Sequence, residues 1–162
     1  MKTVLIVEDE KMIRQGIKTM IMRSGVPIET IMECNNGETA LEILKEQEID
    51  VMFTDIRMPK MDGIELVQKM QSLEHIPLTV AISGYDDFAH AVEMLRNGVR
   101  EYILKPIERE KITEILKKLN AEIESRKEKE ENNQKIGYQQ MRHLMLSDEI
   151  SGEEQRTIES QY

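Results

Sequence analysis

Two rhythms of apolar residues alternate along the chain. Continuous aliphatic and β-branched runs occur at Thr3-Val4-Leu5-Ile6-Val7, Ile28 to Met32, Ile49 to Thr54, Leu78-Thr79-Val80-Ala81-Ile82 and Val99 to Leu104. Such runs mark strands covered on both faces. Between them the apolar positions recur at helical spacing. The first set is Met12, Ile13, Ile17, Met20 and Ile21, stopped by Gly25 and Pro27. Ala40, Leu41, Ile43 and Leu44 follow a turn in which Asn36 can cap a helix. Gly63 opens a helix with Ile64, Leu66, Val67 and Met70, which His75-Ile76-Pro77 breaks. Asp86 can cap a helix with Phe88, Ala91, Val92 and Leu95, closed by Asn97-Gly98. A last helix starts near Glu108 with Ile112, Ile115, Leu116, Leu119 and Ile123.

Strands alternating with helices at this spacing predict βαβ units and a parallel sheet. Five units within residues 1–121 predict an α/β fold. Its form is flavodoxin-like and doubly wound, a five-stranded parallel sheet of order 2-1-3-4-5 with helices on both faces. Beyond Ala121 apolar residues nearly vanish through Glu131, then return at Ile136, Tyr138, Met141, Leu144, Met145 and Leu146. Mixed charges at helical spacing predict a C-terminal helical extension over 122–162, a solvated linker helix that frays instead of a coiled coil. Ser147 to Tyr162 offers no core and reads as exposed or as the edge of a cut.

Composition narrows the function. A net charge of −9 disfavours a nucleic-acid surface in this chain. A lone Cys34 excludes an internal disulfide, fits a reducing cytoplasm, and reads as a small buried hydrophobe. Nothing predicts a membrane span or a signal peptide. Aromatic residues are only 4%, so stacking on bases or sugars is not a theme. The twelve methionines read as core or interface filler. His75 and His90 lack a second His or Cys at ligand spacing and are expected to face solvent.

The chemistry gathers at strand ends. The first strand ends in Glu8-Asp9, the third in Asp55, the fourth in Ser83 and the fifth in Lys105. In a parallel sheet these ends share one edge, where open α/β folds place their sites. Three close carboxylates repel and need a cation to stay ionised. An oxygen-only set points to Mg²⁺, with Mn²⁺ as a substitute, and Mg²⁺ readily shares a phosphate oxygen. Asp55 can then accept a phosphoryl group, whose charge the cation, Lys105 and Ser83 would cover. Pro106 is expected to fix the backbone after Lys105 through a cis bond. Gly84 leaves room for the phosphate.

Taken together, Glu8-Asp9, Asp55 with Met58-Pro59 and Met61-Asp62-Gly63, Ser83-Gly84, Tyr102 and Lys105-Pro106 resemble the receiver domain of two-component response regulators. The resemblance implies Asp55 as phosphorylation site and Asp9 as direct metal ligand, with Glu8 acting through water. It implies the backbone carbonyl of Arg57 as a further ligand, and Lys105 as the phosphate-binding lysine. Ser83 becomes the switch hydroxyl and Tyr102 the switch aromatic. Glu8 stands where Asp is commoner, and Ser83 where Thr is. The stretches Gly84 to Ala91 and Gly98 to Ile107 further resemble receivers that precede AraC-type helix-turn-helix output domains in Gram-positive bacteria. Met141 to Glu154 resembles the start of the linker region in that subfamily. The implication is a fragment of a longer transcriptional regulator, with DNA bound only through an output domain beyond it. The partners implied are a sensor histidine kinase and a second copy of the chain, meeting through the face of the fourth helix, fifth strand and fifth helix. No membrane partner is implied.

Three other readings use the same residues. A haloacid-dehalogenase-type phosphohydrolase wants a second Asp two residues after the nucleophile, where this chain has Arg57. A flavin carrier wants a Ser/Thr-rich phosphate loop after the first strand, where Glu8-Asp9-Glu10 would repel a phosphate. An unphosphorylated interaction module leaves the full acidic set unexplained.

Overall fold

The structure, a computed structural model, describes residues 1–84 and 88–146, without the side chains of 88 and 129–146. Ten elements alternate along the described residues. They are β1 (Thr3–Val7), α1 (Lys11–Met22), β2 (Thr30–Cys34), α2 (Gly37–Glu46) and β3 (Val51–Asp55). Then come α3 (Gly63–Met70), β4 (Leu78–Ser83), α4 (Phe88–Arg96), β5 (Glu101–Leu104) and α5 (Arg109–Leu146). The sheet is five-stranded and parallel, in the order β2-β1-β3-β4-β5. This is the flavodoxin-like order expected from the alternation of periods.

The strand pleat divides the core in two. Leu5, Val7, Met52 and Ala81 face one side and pack with Ala40 and Leu44 of α2, Leu66, Val67 and Met70 of α3, and Ala91 and Met94 of α4. Val4, Ile6, Val51, Phe53, Val80 and Ile82 alternate to the other side and are fully enclosed. There Ile17 and Ile21 of α1 and Ile112, Ile115, Leu116 and Leu119 of α5 are buried. Every residue of β3 and β4 is buried, which is why those two runs show no polar alternation.

Strand edges shift from the expected ones. The second strand is Thr30–Cys34, not Ile28 to Met32. Pro27 has no N–H for a ladder, and the N–H groups of Glu29 and Thr30 both donate to the Lys2 carbonyl, so pairing starts at Thr30. The third is Val51–Asp55, because Asp55 still pairs with Ile82. The fifth starts at Glu101, not Val99. Gly98 takes φ +93° and the Val99 N–H turns back to Met94 O, ending α4.

Two helical positions also differ. Met12 is 87% exposed and Leu95 is 49% exposed, while Met94 fills the place expected of Leu95. Asn36 does cap α2, accepting from Thr39 N at 2.9 Å. The Asp86 cap lies outside the described residues, as does the expectation for Ser147 to Tyr162. Cys34 is buried, and burial pushes its thiol up to about 11. His75 and His90 are exposed, and His75 Nε2 lies 3.0 Å from Ile49 O.

The chain divides into two compact units, Met1–Asn120 and Ala121–Tyr162. In the second, Arg126 pairs with Glu122 one turn earlier at 3.0 Å, and residues 124–128 are exposed. Among the described residues no helix is long and apolar enough to cross a membrane.

Candidate functional site

The register sets which residues meet. Val7 stands opposite Cys34 and Thr54, Asp55 opposite Ile82, and Ser83 opposite Leu104. The residues just past these positions therefore emerge on one edge of the sheet. Glu8 and Asp9 follow β1, Asp55 closes β3, Ser83 closes β4 and Lys105 follows β5.

Asp55 is 5% exposed. Its Oδ1 accepts from the N–H of Ile56 at 2.8 Å, and its Oδ2 accepts from Lys105 Nζ at 3.0 Å. The loop behind it is tightly tied. Ile56 N donates to Ile82 O at 3.2 Å, Gly63 N to Ile56 O at 2.7 Å, and Gly37 N to Met61 O at 3.2 Å. Met61 is buried, and Asp62 caps α3 through Glu65 N at 2.9 Å. Lys60 takes a left-handed φ of 67° to make the turn. Met58 to Gly63 thus acts as a shoulder that keeps Asp55 in place.

Glu8, Asp9 and Asp55 offer carboxylate oxygens all within 4.8 Å of one another, with Glu8 and Asp55 buried and Asp9 exposed. Glu8 Oε1 accepts from Glu10 N at 3.1 Å. Among the described residues its buried Oε2 has no hydrogen-bond partner, and Lys105 Nζ stands 4.0 Å away. Burial raises Glu8 to about 8, and the Asp55 carboxylate beside it pushes the same way. An all-oxygen cluster with an unpartnered buried oxygen fits a hard divalent cation. Burial would lower Lys105, but the Asp55 hydrogen bond and the charges of Asp55, Glu8 and Glu10 outweigh it and raise the ammonium above its ordinary range. Lys105 therefore stays charged against Asp55 at any ordinary pH.

Ser83 is fully buried. Its hydroxyl donates to the Tyr102 hydroxyl at 2.7 Å and lies 3.3 Å from the Gly84 carbonyl. Tyr102 is half-buried and packs against the α2–α4 side of the core, so its ring lies inward. The Lys105–Pro106 bond is cis. Arg57 is exposed in the loop after Asp55. The structure thus groups Glu8, Asp9, Asp55 and Lys105 in one cluster and pairs Ser83 with Tyr102.

Arg14 escapes a reading of the sequence. It carries no motif, yet its Nη1 donates to the Glu8 carbonyl at 2.9 Å. Its only local signal is its place one helical turn after Glu10, facing back toward the acidic strand end.

Known proteins resemble this chain in sequence and in fold. The response regulator receiver domain family matches residues 4–117. A response regulatory protein of Vibrio cholerae is 31% identical over 121 residues, covering 75% of this chain and 46% of that protein. Among solved structures, the receiver domain of AraT, a response regulator from Geobacillus stearothermophilus, is 34% identical with a TM-score of 0.67, covering 77% of this chain and 97% of that one. A two-component transcriptional regulator AraC from Clostridium phytofermentans is also 34% identical, with a TM-score of 0.64, covering 74% and 91%. The chain spans 33% to 46% of the length of the first curated relatives it matches. With its strand order, its acidic strand ends and the family match over most of its length, the chain belongs to the response regulator receiver domain family.

Proposed function

We propose that Asp55 accepts a phosphoryl group from the phosphohistidine of a sensor kinase. The observation that carries this is the Lys105 ammonium 3.0 Å from Asp55 Oδ2, inside a cluster whose third and fourth members are Glu8 and Asp9. An Asp55 carboxylate oxygen attacks phosphorus, the P–N bond of the donor breaks, and the imidazole leaves with the electron pair. The loop from Ile56 to Gly63 holds the carboxylate in line, and Lys105 neutralises charge on the transferring oxygens. Asp9, Asp55 and the Arg57 carbonyl would hold Mg²⁺, with Glu8 acting through water and Mn²⁺ as a substitute. When bound, the cation supplies charge neutralisation beside the phosphoryl oxygens. The chemistry is confined to the chain's own phosphorylation and dephosphorylation; it turns over no other substrate.

In this reading Ser83 leaves Tyr102 to donate to the new phosphate, and the ring moves with it. The face of α4, β5 and α5 changes and favours a symmetric dimer. Residues 1–121 form the receiver and 122–162 a linker toward an AraC-type output domain, through which DNA would be bound. The 34% identity to a two-component transcriptional regulator AraC from Clostridium phytofermentans supports that output class. The setting is cytoplasmic.

Incubation with acetyl phosphate and Mg²⁺ tests the reaction. The parent chain is expected to gain one phosphoryl group by mass. Asp55→Asn is expected to gain none, and equal labelling of both would overturn the assignment.

A further inference from the structure

Glu8 is fully buried, and its backbone is held from two sides. Its N–H donates to the Cys34 carbonyl on β2 at 3.1 Å. Its carbonyl accepts from Arg14 Nη1 on α1 at 2.9 Å. That carbonyl belongs to the peptide group joining Glu8 to Asp9. A peptide is planar, so anchoring its oxygen sets the rotation of the link between the two carboxylates.

Arg14 is itself aimed. Its Nε lies 3.4 Å from Glu33 Oε1, and the other Glu33 oxygen takes Lys18 Nζ at 3.1 Å. The Arg14 side chain is 18% exposed, so this is a sheltered pair and not a solvated one. Glu33 and Cys34 are adjacent on β2, so one end of one strand governs both contacts to Glu8. The first turn of α1, with Arg14 N donating to Glu10 O at 2.9 Å, brings the side chain back over the end of β1. The guanidinium reaches Glu8 through its hydrogen bond to the carbonyl.

We propose that Arg14, aimed by Glu33, is a positioning residue for the divalent-cation site. It orients the Glu8–Asp9 pair and thereby sets the affinity of the cluster for the cation. This inference rests on the cation reading above. A brace that only joined α1 to β2 would behave differently: its loss would lower the denaturation midpoint and leave the affinity of the folded chain unchanged.

The test is a calorimetric titration of Mg²⁺ alone into the metal-stripped chain, with far-UV circular dichroism to confirm folding. Arg14→Gln is expected to weaken binding by about tenfold or more, the range seen when partners of metal ligands are removed. Glu33→Gln keeps the Glu8 contact but loses the aim, so a smaller loss of affinity than that of Arg14→Gln is expected. Lys69→Gln, which breaks the exposed Lys69–Glu65 pair, is expected to leave affinity unchanged. Should Arg14→Gln fail to fold, Glu33→Gln carries the test alone. Unchanged affinity in the folded variants overturns the proposal and leaves the cation reading standing. A parent chain that binds no Mg²⁺ overturns the cation reading and this proposal with it.

Discussion

Ser83 and Tyr102 carry a bond that can be weighed directly. The Ser83 hydroxyl is buried and donates to the Tyr102 hydroxyl at 2.7 Å. Removing the acceptor with Tyr102→Phe leaves Ser83 only the longer contact to Gly84 O at 3.3 Å. Net hydrogen bonds of this kind contribute about 1 kcal/mol, so urea denaturation should show Tyr102→Phe destabilised by about that amount. No measurable change would mean that Ser83 is satisfied without the tyrosine. At this scale the sequence was informative about identity and poor about contact. Asp55, Lys105 and Ser83 stand out because a carboxylate, an ammonium and a hydroxyl end three apolar strands. Nothing local says that Ser83 points to Tyr102, nineteen residues away, because the pleat and the rotamer decide it together. Met12 and Leu95 lie on a helical apolar period and are exposed for a related reason. A helical period names a stripe, and a residue at its margin is buried only if a neighbouring element covers it.

At the scale of elements, two glycines make opposite predictions. A Cβ on Gly63 would overlap the Asp55 carbonyl oxygen and come within 3.1 Å of Ile56 Cα. Both are backbone atoms at the strand end and loop that hold Asp55, and backbone yields poorly. Gly63→Ala should therefore lose about 1–3 kcal/mol, as overpacked sites do. Gly16 lies inside α1 with nothing within 4 Å of its added Cβ. There the gain in helix propensity should win, and Gly16→Ala should stabilise the chain by roughly 0.5–1 kcal/mol. Chemical denaturation of the two variants reads both signs. A neutral Gly63→Ala would mean that the Met58–Gly63 shoulder gives way easily. Element order was plain from apolar periodicity, while element edges were not. The starts of β2 and β5 depend on where a neighbouring strand or helix end accepts an N–H, as Lys2 O and Met94 O do. Those acceptors lie outside the run that predicts the strand.

For the whole molecule, the proposed switch predicts a change of association. With acetyl phosphate and Mg²⁺, light scattering after size exclusion should report a larger dimer fraction for the parent chain, and Asp55→Asn should lose the response. A mass that stays at one chain under both conditions would remove dimerisation from the proposal while leaving phosphorylation intact. The sequence by itself determined the alternation of strands and helices, the parallel sheet and the set of polar groups at its carboxyl edge. These follow from local periodicity and from the geometry of a parallel sheet, in which successive strands all end on the same side. Only the tertiary structure decided the contacts. It brings Lys105 to 3.0 Å from Asp55 across fifty positions of chain, turns Tyr102 inward to Ser83, and lays Arg14 against the carbonyl between Glu8 and Asp9. Such distances depend on register, crossing and rotamer among segments that periodicity treats as independent, so they become readable only once the segments are packed.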